Sequence, residues 1–250
     1  MKTNTLRTIV LSAILCTAAY AAGTVNGSAI TEALPEPVPS PDTPILMMGD
    51  SMMRLLGNEM EKAFKKANVQ PATAFSSLGS GLVRPAAFDW TAKTAEMLET
   101  LKPKTVFVSL GTNDRQPIEG EEGGIIFYGK PEWEVAYAKR IGALMDQILA
   151  GGVTRLVWFR LPAMKEAVNQ AHADLVNEIV AREAAVESRK DKVTVFDLGP
   201  VLSRRPGVYT QYLMSAEGEA LSVRDPDGVH LTKAGGKVVA TAVLKAFWKK

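Results

Sequence analysis

Four short blocks in this chain hold residue types able to do chemistry. They are Gly49-Asp50-Ser51, Ser76-Ser77-Leu78-Gly79-Ser80-Gly81-Leu82, Gly111-Thr112-Asn113-Asp114 and Asp225-Pro226-Asp227-Gly228-Val229-His230. A serine that ends an apolar run and opens a helix exposes its Oγ at the rim. Its own N–H then lies beside the positive end of the helix dipole. Asp227 and His230, three residues apart across a turn, can both face one site. The carboxylate would hold the imidazole's tautomer while the other ring nitrogen meets Ser51. Glycines let backbone amides approach a ligand closely, and the Asn113 amide is suited to donate to a developing oxyanion. Each block also has a plainer reading. Asp50 or Ser51 caps a helix, the Gly-Asn and Asp-Gly pairs are turns, and His230 is a polar residue ahead of the last helix.

The counts narrow the choice of groups. The 250 residues include one cysteine and two histidines, His172 and His230. A disulfide framework and a Cys-rich metal site are excluded, and no His-x-His or His-Glu-x-x-His ligand pattern occurs. Lys+Arg 29 against Asp+Glu 27 argues against a nucleic-acid partner. His172 falls on an expected helix surface without serine or glycine-rich neighbours, which marks it as structural or solvated.

The elements that must position these blocks follow from hydrophobic periodicity. Apolar runs at 45–48, 72–75, 106–110, 156–159 and 193–196 read as five strands. Amphipathic stretches at 52–67, 91–101, 132–150, 171–187 and 234–248 read as helices, the third ended by Gly151-Gly152. Strands alternating with long helices imply a parallel sheet covered on both faces. Ligands of such sheets sit at the carboxyl ends of the strands, where three of the four blocks lie.

The N-terminal residues are of another kind. Lys2 and Arg7 precede the apolar run Ile9–Leu15, which passes into Ala18-Ala19-Tyr20-Ala21-Ala22. That order reads as an export signal over 1–22, with Ala19-Tyr20-Ala21 as the cleavage motif. An uncleaved anchor is the alternative, although the run is shorter than the roughly 20 apolar residues a span needs. Residues 23–44, with five prolines, read as an extended linker, and 45–250 as the remaining domain. Removing 1–22 takes away Lys2, Arg7 and Cys16, leaving 27 basic and 27 acidic residues and no thiol. The expected location is the periplasm or the exterior, with no stable membrane insertion after cleavage.

In this order, serine block first and Asp-x-x-His last, the blocks resemble the SGNH, or GDSL-like, hydrolase superfamily, in an exported bacterial subgroup. The resemblance runs from about Ile45 to Ala246. It implies a flavodoxin-like three-layer α/β/α sandwich with a five-stranded parallel sheet. It implies Ser51 as nucleophile, His230 as base and Asp227 as the acid that orients it. The oxyanion hole would be the Ser51 amide, Gly81 and Asn113, with Gly79 as a competitor for the second place. No cofactor or metal is implied. One departure is Met52, where lipolytic members have leucine. The activity implied is hydrolysis of carboxylic esters, with O-acetyl groups on an envelope or exported polysaccharide as the expected substrate. Arg84 and Arg115 are candidates for an anionic sugar, and Trp90, Trp133 and Tyr128 for stacking on sugar rings. A lipolytic esterase or thioesterase, an O-acetyltransferase, and a non-catalytic glycan-binding protein stand as alternatives.

Overall fold

A computed structural model describes residues 43–248, apart from Gln70, Glu121, Glu122 and Pro206. The expected signal and nearly all of the linker lie outside these residues. Five strands form one parallel sheet: β1 (Ile45–Gly49), β2 (Ala72–Ser76), β3 (Thr105–Ser109), β6 (Arg155–Phe159) and β7 (Val193–Phe196). Their order is β2-β1-β3-β6-β7. The helices are α1 (Ser51–Lys66), α2 (Trp90–Leu101), α3 (Pro131–Ala150), α4 (Ala167–Ala184), the short α5 (Gly199–Leu202) and α6 (Lys233–Trp248). Two antiparallel hairpins complete the chain, β4 (Ile118–Glu119) with β5 (Ile125–Ile126), and β8 (Tyr212–Met214) with β9 (Ala220–Ser222).

The three-layer fold expected from the resemblance is the one observed. β1, β3 and β6 are buried along their whole length, because α1 and α6 pack on one face and α2, α3 and α4 on the other. Buried parallel strands read as continuous apolar runs rather than alternating ones. In the first layer Phe107 stacks on Phe159 and meets Phe247 edge-on. Trp133, Tyr137 and Trp158 fill the second.

Strand order reverses at β1, which pairs with β2 on one side and β3 on the other. That reversal opens a crevice above the carboxyl ends of β1 and β3. The close approach has a strict local demand: a Cβ on Gly49 would meet Ser109 O at 2.1 Å. Only glycine lets the two strand ends lie side by side, so the serine and asparagine blocks emerge together.

Helix boundaries differ from the periodic reading at two places that matter. α1 begins at Ser51, not Met52, with Asp50 as its N-cap. α4 runs Ala167–Ala184 rather than 171–187, beginning after Glu166, which makes no side-chain cap. Without a capping residue the start was displaced by a turn. The hairpins have strands of two and three residues, too short to show a period.

Candidate active site

Ser51 is the first residue of α1, and its Oγ lies 2.7 Å from His230 Nε2. His230 Nδ1 lies 2.6 Å from Asp227 Oδ2. A carboxylate only accepts, so Nδ1 carries the proton and Nε2 is left to accept from the serine hydroxyl. Asp227 Oδ1 accepts from the backbone N–H groups of Val229 and His230, at 2.8 and 2.9 Å. The Asp-Gly-Val-His turn therefore fixes its own carboxylate. Gly228 has φ 77°, and a Cβ there would meet Lys165 Cβ at 2.3 Å, so both conformation and space require glycine. Burial would raise the Asp227 pKa, but the hydrogen bonds from the His230 ring and the two amides outweigh it and hold it below the usual value.

Asp50 caps α1 through Met52 N at 2.9 Å and accepts from Thr112 N at 3.2 Å. One buried carboxylate thus ties the serine block to the asparagine block. Asn113 Nδ2 donates to Ser80 O at 2.8 Å, which brings in the glycine block and orients the amide plane. Gly81 is set against Asp114: a Cβ would meet its Oδ1 at 2.0 Å. Asp114 also accepts from Val83 N and from the Tyr137 hydroxyl. Gly79, by contrast, is exposed with open space around it, and needs to be glycine for its φ of 67°. Of the two glycines, Gly81 is the buried one.

Burial pushes Asp50 up to about 7, assisted by the nearby Asp114 charge. Asp114 is raised for the same first reason, burial, and Tyr137 lies well above its ordinary value. These groups are a buried, hydrogen-bonded polar support for the serine, glycine and asparagine blocks.

A pocket of about 220 Å³ lies beside His230. Asn113, Leu161, Met164, Ala173 and, unexpectedly, His172 share its wall. His172 is 4% exposed, not on a helix surface. Its Nε2 meets Gly111 O at 2.8 Å and its Nδ1 meets the Tyr128 hydroxyl at 3.2 Å. The displaced start of α4 concealed this, and a neighbour 61 residues away leaves no local signal.

Trp90 does not reach a rim where it would touch a sugar. It is 2% exposed, packs edge-on against Phe75 and Phe88, and donates its indole N–H to Ser80 Oγ. As the first residue of α2 it faces the core and supports the glycine block from behind. Trp133 is fully buried against Tyr137, and Tyr128 is half-buried over Trp133 and His172. Arg84 and Arg115 are exposed; the Arg115 charge acts on Tyr128 and His172.

Arg224, three residues before Asp227, was not singled out from the sequence. It is 1% exposed and donates to Ala163 O, Gly228 O and Val229 O. A basic residue beside an Asp-x-x-His turn was the available signal.

The family described as "Protein of unknown function (DUF459)" matches residues 44–246. Among curated proteins none matches the sequence. Among solved structures, the chain is similar to a lipase/acylhydrolase from Enterococcus faecalis, at 12% identity and a TM-score of 0.51, over 81% of this chain and 94% of that one. It is also similar to the lipase Lip_vut3 from a goat rumen metagenome, at 14% identity and a TM-score of 0.52, over 83% of this chain and 99% of that one. At such identities the likeness is one of fold.

Proposed function

Since the chain belongs to the DUF459 family and carries the fold of the SGNH hydrolases, we propose that it is a serine esterase working through an acyl-Ser51 intermediate. The observation that carries this reading is the continuous array Ser51–His230–Asp227, at 2.7 and 2.6 Å. His230 Nε2 takes the hydroxyl proton as Ser51 Oγ attacks the ester carbonyl carbon. Asp227 keeps the imidazole in the accepting tautomer and stabilises the imidazolium. The developing oxyanion lies against the Ser51 and Gly81 amides and the Asn113 side chain, with one such donor worth about 10²–10³-fold in rate. His230 then protonates the departing alcohol, and water, deprotonated in turn by His230, releases the acid.

The acyl group is acetyl. A pocket of about 220 Å³ is smaller than the roughly 300–1,000 Å³ of clefts that hold drug-sized ligands. Leu161, Met164 and Ala173 supply apolar wall for a methyl group. The alcohol side is an O-acetylated polysaccharide of the envelope or exterior, consistent with the export-type N-terminal sequence. Among the described residues no helix is long and apolar enough to cross a membrane. Exposed Arg84 and Arg115 suit an acidic sugar.

The purified chain and its Ser51→Ala variant, offered acetylated glycans and nitrophenyl esters of increasing chain length, test the reading. Acetate release that Ser51→Ala abolishes, without long-chain activity, is the expected result. A preference for long acyl chains would make it a lipolytic esterase. Acetyl passed to an acceptor glycan instead of water would make it a transferase. Binding of glycans with no release would make it a binding protein.

A further inference from the structure

Outside the reacting groups, Arg224 is the most deeply buried arginine among the described residues. The Arg224 guanidinium is 1% exposed, yet its partners are neutral. Nη1 donates to Ala163 O at 2.7 Å, and Nη2 donates to Val229 O at 2.9 Å and Gly228 O at 3.3 Å. Met164 Sδ lies 3.6 Å from Nη2, and the Tyr209 ring 5.0 Å from the guanidinium carbon. Nε is buried without a partner. Arg189, another buried arginine, is arranged differently: it sits on the Asp146 and Glu183 carboxylates.

Burying a charge that is hydrogen-bonded to no carboxylate is costly; the Asp227 charge acts on Arg224 but offsets its burial only in part. What the cost supplies here is geometry. The Arg224 backbone pairs with Leu231 in an isolated antiparallel bridge, closing the base of the 225–230 loop. Asp225 N donates to His230 O across that base. The side chain returns over the loop and grips two carbonyls in its middle, those of the successive Gly228–Val229 and Val229–His230 peptides. The same fork holds Ala163 O, next to Met164 of the pocket wall. A planar guanidinium with donors in fixed directions can tie three carbonyls at once, which an ammonium cannot do with the same directions.

We propose that Arg224 is the positioning residue for the reaction: it clamps the Asp227–His230 loop to the pocket wall and so sets the approach of His230 Nε2 to Ser51 Oγ. This rests on the serine-esterase reading above. Burial also brings the Arg224 pKa down to about 10, which still leaves the fork charged at neutral pH.

The test is the rate at which a fluorophosphonate labels Ser51, because that reaction needs the serine–histidine contact but no particular substrate. Arg224→Met should label about ten- to a hundredfold more slowly than the parent, the penalty expected for misplacing a reacting group by about 1 Å. Arg224→Lys should fall between the two, and methylguanidinium should restore part of the rate of Arg224→Ala. For nitrophenyl acetate the loss should appear in kcat more than in KM. Arg189→Met is the control, expected to lower the melting temperature and leave labelling unchanged. If Arg224→Met does not fold, the lysine variant and the rescue carry the test. Folded Arg224→Met or Arg224→Lys that labels at the parent rate overturns the proposal. A parent chain that resists labelling removes the nucleophile reading, and this proposal with it.

Discussion

The two histidines share one pocket and differ in almost everything else. The His230 side chain is 37% exposed and bridges a carboxylate to a serine hydroxyl. His172 is buried, with a backbone carbonyl and a phenol as partners, and burial lowers its pKa. One has a carboxylate acceptor that fixes its tautomer. The other is held neutral by desolvation, its ring joining the Gly111 loop to Tyr128. Position in a pocket does not make a base; the partners of the two ring nitrogens do.

The sharpest way to break this comparison is to remove each ring in turn. His230→Ala should lose about 10⁴- to 10⁶-fold in kcat on nitrophenyl acetate, and Ser51→Ala about the same, since the two groups act as a unit. His172→Phe should lose less than tenfold, on the order of a single lost contact. Equal losses from the two histidine variants would mean that the pocket has two chemical histidines. Asp227→Asn comes next, at about 10³- to 10⁴-fold, because an amide favours the wrong tautomer. Asn113→Ala should lower kcat by about 10²–10³-fold with circular dichroism unchanged; a normal kcat would remove it from the oxyanion hole.

Stability separates the rings in the opposite order. His172→Phe takes the ring donor from Gly111 O, which keeps only the Asp114 N–H at 3.2 Å, and should cost about 0.5–1.5 kcal/mol in urea unfolding. The exposed His230 should cost less.

Stability also depends on pH through two of these buried groups. Asp50, raised from 3.8 to about 7, binds a proton in the folded chain that the unfolded chain has released. Its contribution is full below about pH 4 and is lost as pH rises through 7. His172, depressed below 6.5, has the reverse sign. Its contribution is full above pH 6.5 and is lost as pH falls below that value. Urea titrations across pH 4–8 should show Asp50→Asn removing a decline toward alkaline pH, and His172→Phe removing a decline toward acid. A parent curve changed by neither variant would show that both groups titrate alike in the two states.

Much of the arrangement was legible because it is local. Asp50 caps α1 within two residues, and Asp227 binds the amides of Val229 and His230 within three. Turn and cap chemistry depends on neighbours in sequence, so the Asp-Gly-Val-His and Gly-Asp-Ser blocks could be read directly. The strands were legible because burial on both faces leaves unbroken apolar runs. Trp90 was misread because an aromatic residue at a helix start is equally suited to a rim or a core. Only the Phe75 and Phe88 rings and Ser80 Oγ settle which. His172 and Arg224 were misread or missed because Gly111 O and Ala163 O each lie 61 residues away from them.

By itself, then, the sequence determined which residues sit at strand ends, which turn orients Asp227 toward His230, and that only two histidines were available. The tertiary structure decided the meeting of Ser51 and His230, 179 residues apart, through the packing of α6 against α1. It also decided the direction in which each carboxylate shifts, down at Asp227 and up at Asp50 and Asp114. The physical reason is range. Caps and turns are closed by hydrogen bonds between near neighbours, whereas burial and the charges around a group are set by whatever the whole chain packs against it.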